Sequence, residues 1–88
     1  MGKFVFDTDN STYKFCECIV NRMITSFGLS DEEAVGRINN LWAKLGSILE
    51  GDIMFHETPE FWAYDIYYGH DSSWWHRLDD PSLRPIKY

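Results

Sequence analysis

The residues best suited to chemistry fall in two places. The run His56-Glu57-Thr58-Pro59-Glu60 brings an imidazole and two carboxylates close together, with His70, Asp71 and His76 further along. A zinc site of the metalloprotease kind needs two histidines four apart on one helix face, with a glutamate between them. Here the fourth position after His56 is Glu60, and Pro59 opens a helix inside the run, so the geometry is wrong for that site. His70, Asp71 and His76 fall in a segment that reads as loop. No metal set and no cofactor are therefore expected. The second place is the pair Cys16 and Cys18. Two residues apart on a helix, they point in different directions and cannot pair. Cys16 lies on an apolar stripe, as a buried filler does. Cys18 faces the polar side at mid-helix beside Glu17, with nothing to lower its pKa. No glycine-rich phosphate loop and no serine-centred nucleophile motif is present. The residue pattern favours binding over catalysis. A metal protein or small enzyme using His56, Glu57, His70 or His76 is kept as a lesser alternative.

The elements that must position these residues are mostly helices. Alternation over Lys3-Phe4-Val5-Phe6-Asp7 predicts a short strand or extended arm, and the Asp, Asn, Ser and Thr residues that follow are helix caps. Helix one is expected from about residue 11 to residue 27. Tyr13, Cys16, Ile19, Val20, Met23, Ile24 and Phe27 share its apolar stripe, and Gly28 suits a left-handed stop. Helix two opens on Ser30-Asp31-Glu32-Glu33, which matches a capping box. Its stripe is Ala34, Val35, Ile38, Leu41, Trp42 and Leu45, its surface pair Glu33 and Arg37, and its stop Gly46. Residues 47–57 read two ways: Ile48-Leu49 could extend helix two, or Ile53-Met54-Phe55 could form a short strand or buried loop. Helix three starts with Thr58 as cap and Pro59 in the first turn, and ends near Tyr68 before Gly69. From His70 onward the chain reads as irregular, pinned to the body by Trp74, Trp75, Leu78, Leu83 and Ile86. The expected architecture is a mainly α, three-helix single domain over residues 1–88, with a short extended N-terminal arm and an irregular aromatic-rich tail.

Composition narrows the partners. The 88 residues carry a formal net charge of -6, with 44% hydrophobic and 17% aromatic residues. That apolar share suits a folded domain rather than a disordered one. An acidic chain repels phosphate backbones and anionic lipid, so neither nucleic acid nor a membrane is the expected partner. A basic protein fits the sign. No apolar run has the length of a signal peptide or membrane span, and the cysteines form no disulfide framework, so the cytoplasm is the expected location.

The acidity is regional. Between Lys44 and Arg77 there is no Lys or Arg, while the same stretch holds Glu50, Asp52, Glu57, Glu60, Asp65 and Asp71. Eight of the fifteen aromatic residues fall there as well. Helix three is apolar nearly all round: Trp62, Ala63 and Ile66 on one side, Phe61, Tyr64 and Tyr68 on another. A surface helix needs only one stripe. Either the tail covers the second face, or that face binds a partner with aromatic anchors and a carboxylate rim. The candidate partner surface is Glu57, Glu60, Phe61, Tyr64, Asp65, Tyr68, Asp71, Trp74 and Trp75.

The wording Phe27-Gly28-Leu29-Ser30-Asp31-Glu32-Glu33-Ala34, then Arg37-Ile38-Asn39, His56-Glu57-Thr58-Pro59-Glu60-Phe61-Trp62-Ala63 and Ile66-Tyr67-Tyr68-Gly69 resembles small uncharacterised bacterial proteins of similar length. In size and acidity the chain also resembles immunity proteins that neutralise bacterial toxins. That second resemblance implies a cytoplasmic inhibitor that masks a basic partner, such as a toxin of the nuclease type. A structural role, with helix three at a homodimer interface, is the alternative.

Overall fold

The computed structural model describes residues 4–43, 47–48, 57–69 and 72–86, the pair 47–48 by its backbone alone. The chain is mainly helical, and its described residues form three α-helices: α1 (Asn10–Phe27), α2 (Asp31–Trp42) and α3 (Pro59–Tyr68). Two short strands, β1 (Asp7–Thr8) and β2 (Ser47–Ile48), pair in parallel, Asp7 opposite Ser47 and Thr8 opposite Ile48. Parallel neighbours need a long crossover, and here α1 and α2 lie within it. Strand pairing at Ser47–Ile48 excludes the extension of helix two through Ile48. Leu45, Gly46, Leu49, Ile53, Met54 and Phe55 lie outside the described residues.

Each helix begins on the cap its residues supply. Asp9 accepts from the Thr12 amide at 2.9 Å, Ser30 from Glu33 at 3.0 Å and Thr58 from Phe61 at 3.1 Å. These side chains satisfy amides that have no partner within the helix. Asp31, Glu32 and Glu33 add negative charge at the positive end of α2. Gly28 ends α1 at φ 68°, in the left-handed region, and donates to the Ile24 carbonyl at 2.9 Å.

The core lies between α1 and α3, with α2 across one side. Cys16, Ile19, Val20 and Met23 of α1 meet Ala63 and Ile66 of α3 and Ala34, Val35, Ile38 and Trp42 of α2 in one cluster. Phe4 and Phe6 join it while Val5 between them is exposed, the alternation an extended arm imposes. The Val5 amide donates to Asn39 Oδ1 at 2.9 Å, which fastens the arm to α2.

Two expectations for α2 are corrected. Leu41 is 46% exposed and borders a small cavity that Ile66 of α3 and Ile86 of the tail also line. Arg37, expected as half of a surface pair, is only 8% exposed. Its Nε donates to Glu33 at 3.0 Å, its Nη1 donates to the Ile86 carbonyl at 2.7 Å, and its guanidinium sits 4.9 Å from the centre of the Tyr67 ring.

The tail is more ordered than its composition suggested. A 3-10 helix spans Trp74–His76, after Ser73 at φ 53°. Arg77 then holds the turns together, donating to Asp80 Oδ2, the Ser72 carbonyl and Ser82 Oγ. The Ser82 amide, its hydroxyl and Arg77 together hold the Asp80 carboxyl below its ordinary range. That carboxylate therefore supports the turn above the ordinary Asp range, and the support fades as pH falls through the lowered value. Beyond the turns the Ile86 amide donates to the Tyr67 carbonyl at 3.0 Å. The crossing is close: a Cβ on Gly69, which sits at φ 88°, would lie 2.9 Å from Ile86 Cγ2. Of the residues expected to pin the tail, Trp74 is buried and Leu83 half-buried, whereas Trp75, Leu78 and Ile86 remain exposed. The backbone of Ile86 does the pinning there, not its side chain.

Arg37→Met keeps the apolar stem and removes the donors. The expected loss is about 2 kcal/mol of unfolding free energy, the scale of hydrogen bonds to charged groups. Urea melts measure the loss, and amide exchange at Ile86 should accelerate with it; unchanged exchange would show that the tail is held by something else.

Candidate functional site

The N-terminal end of α3 and the tail that folds back over it form the candidate site. Pro59 and the Thr58 cap fix where α3 begins, and so place Glu57 just before its first turn and Glu60 within it. Both glutamates are exposed. Phe61 and Tyr64 follow on the same side, half-buried. Trp74 comes down on them from the tail, its ring centre 5.4 Å from Phe61 and 5.3 Å from Tyr64. Between α3 and the tail runs a groove of about 270 Å³ lined by Thr58, Glu60, Phe61, Tyr64, Trp74 and Leu78.

The residues expected on a partner surface do not all belong there. Asp65 is 6% exposed and accepts from Trp74 Nε1 at 2.9 Å. Its carboxylate therefore belongs to the frame of the site and not to an acidic rim. Trp74, expected as an open anchor, is buried for the same reason: an indole N–H that enters the interior needs an acceptor, and Asp65 supplies it. Tyr68 lies further along α3, half-buried among Phe27, Tyr64 and Tyr67 and away from the groove. Burial, with Tyr67 and Tyr64 beside it, pushes its hydroxyl above the ordinary tyrosine range. Trp75 is 42% exposed, edge-on to Trp74 at 5.4 Å, and borders the site on the tail side. Asp71 lies outside the described residues, as do His56 and His70.

Two groove residues escaped the sequence reading. Leu78, expected to anchor the tail, faces the groove instead. Thr58 caps α3 and lines the groove as well. Only the fold of the tail brings residue 78 beside residue 60, and no local spacing signals it. A second, shallow depression lies across Thr58 and Glu60, between the start of α3 and the polar face of α1, where Cys18, Asn21, Arg22 and Thr25 stand.

Among the described residues, no three His, Cys, Asp or Glu side chains converge as a metal site would require. Both thiols are free. Cys16 is fully buried, and burial pushes its thiol up to about 12, whereas Cys18 is exposed. No helix among the described residues is long and apolar enough to cross a membrane. Comparison of the chain with protein families, with curated proteins and with solved structures finds no match.

Two outcomes follow from this geometry. Asp65→Leu strands the Trp74 N–H and should cost about 1–3 kcal/mol, whereas Asp65→Asn keeps an acceptor and should cost less. Thermal melts followed by tryptophan fluorescence compare them, and equal losses would remove the hydrogen bond as the cause. In the native protein a thiol reagent should titrate one cysteine promptly, Cys18, and both once the chain is unfolded; two prompt thiols would contradict the burial of Cys16.

Proposed function

We propose that this chain is a small acidic binding protein that masks a basic protein partner, as an inhibitor or immunity protein masks a toxin. One observation carries the reading. Glu57 and Glu60 stand exposed at the start of α3, beside a groove walled by Phe61, Tyr64 and Trp74, and no lysine or arginine is among the described residues that line it. Large aromatics against a carboxylate rim are the composition of a binding surface for cationic partners. The net charge of -6 would speed encounter with such a partner. Two free thiols that make no disulfide suit a reducing cytoplasm, where such an inhibitor would act.

The double charge reversal Glu57→Lys/Glu60→Lys tests the reading without touching the core, since both side chains are exposed. Basic proteins captured from native extract by the parent chain should be lost on the double variant, and should weaken as salt rises. Circular dichroism should show the helices unchanged. Capture indifferent to both salt and charge reversal would sink the proposal.

A further inference from the structure

We infer that the groove between α3 and the tail seats one arginine side chain of the basic partner, an inference that rests on the reading just given. Size limits the occupant first. At about 270 Å³ the groove falls below the range of sites that enclose whole small ligands, and suits a single long side chain. Its walls choose the chemistry. Phe61, Tyr64 and Trp74 offer ring surface, Leu78 offers apolar surface for an aliphatic stem, and Glu60 stands at the rim with its charge. The Trp74 ring is held in place by Asp65, so this wall is built before any partner arrives.

The molecule already contains the same combination once, on another side of α3. There Arg37 lies over the Tyr67 ring while its Nε donates to Glu33. Glu60 with Tyr64 and Trp74 repeats the carboxylate and the rings, and Glu60 makes no ion pair among the described residues. Among the described residues no base lines the groove itself: Arg22 stands in the neighbouring depression on the α1 side of Glu60, and Arg77 is engaged by Asp80, Ser72 and Ser82. Arginine fits better than lysine because its guanidinium is planar and weakly hydrated, stacks on rings and can still meet a carboxylate edge-on.

The test is a titration of the isotopically labelled full chain with the blocked tripeptide Gly-Arg-Gly, and with versions carrying lysine or citrulline at the centre. The expected result is saturable movement of the Trp74 indole N–H, the Tyr64 ring and the Leu78 methyl signals with the arginine peptide. Lysine should bind about threefold more weakly and citrulline, which has lost the charge, should leave these signals still. Glu60→Gln, an exposed change that leaves the fold alone, should weaken arginine binding by about threefold to fivefold. Tyr64→Leu should weaken it as well. Equal responses to arginine and lysine, spread over the acidic surface and unaffected by Tyr64→Leu, would overturn the assignment, as would a groove that does not respond. A silent groove overturns it even where Glu57→Lys/Glu60→Lys abolishes capture of the basic protein, and in that case the broader reading stands. Capture untouched by the charge reversal overturns the broader reading and takes this one with it.

Discussion

A buried guanidinium organises this molecule. Placing a cation in the interior is costly unless its donors and its charge are answered, and Arg37 is answered from three elements at once. Glu33 meets it from α2, the face of Tyr67 from α3, and the Ile86 carbonyl from the tail. A lysine could not serve these directions together, since its ammonium lacks the planar fork. The tail has to cross the end of α3 to satisfy Arg37, and it can cross there because Gly69 has no side chain to meet Ile86. The same tail lays Trp74 against Phe61 and Tyr64. The groove at the start of α3 is thus a product of how the chain returns over that helix, with the Arg37 contact at one end of the return and the Asp65–Trp74 hydrogen bond at the other.

The rings of α3 explain why it is apolar on nearly every side. Between them they find partners on three other elements. Trp62 meets Trp42 of α2 edge-on at 5.6 Å, Tyr67 stacks on Phe27 of α1 at 3.9 Å, and Phe61 and Tyr64 meet Trp74 of the tail. The contacts continue from Trp42 through Phe6 and Phe4 to Tyr13, so aromatic neighbours run without a break from the arm to the tail. Such pairs add roughly 0.5–1.5 kcal/mol each beyond simple burial, a useful reserve for a chain of this length. Helix three is a core element in which Glu60, in the first turn, is the one exposed residue.

Local signals carried most of the fold. Caps and apolar spacing marked all three helices and glycine stops marked the ends of α1 and α3, because Asp9, Ser30, Thr58, Gly28 and Gly69 act on backbone groups within a few residues of themselves. Helix α2 ends at Trp42, short of the stop expected at Gly46, which lies outside the described residues. What local signals could not carry is pairing across distance. Glu33 and Arg37 read as a surface pair because their spacing is that of one; only the tail's arrival makes it a buried one. Asp65 read as a rim carboxylate because a lone acid between aromatics has that pattern, and the indole that claims it lies nine positions away in a segment without periodicity. Leu41 read as core because it falls on the stripe, although in the fold it borders a small cavity and stays exposed while Trp42 beside it is buried. Of the candidate site, Glu57, Glu60, Phe61 and Tyr64 were legible from helix spacing. Trp74 was named with them, but its place in the other wall, beside Leu78, depends on turns that Arg77 and Asp80 organise.

The parallel bridge between Asp7 and Ser47 also imposes an order of events in time. The arm docks through Asn39, Trp42 and the backbone at residue 47, all of which lie beyond the whole of α1 and most of α2. Contacts of such long sequence separation close late, after the loop entropy between them has been overcome. During synthesis α1 can therefore be complete while Phe4-Val5-Phe6 still lacks its partners on α2 and at residue 47, leaving much of an extended, aromatic segment exposed to other chains. Lys3 on one side and Asp7 and Asp9 on the other flank it with charge, as residues that guard an aggregation-prone segment do. Charge at this end of the molecule thus bears on the kinetics of assembly, separately from any role the acidic surface of α3 has in recognition.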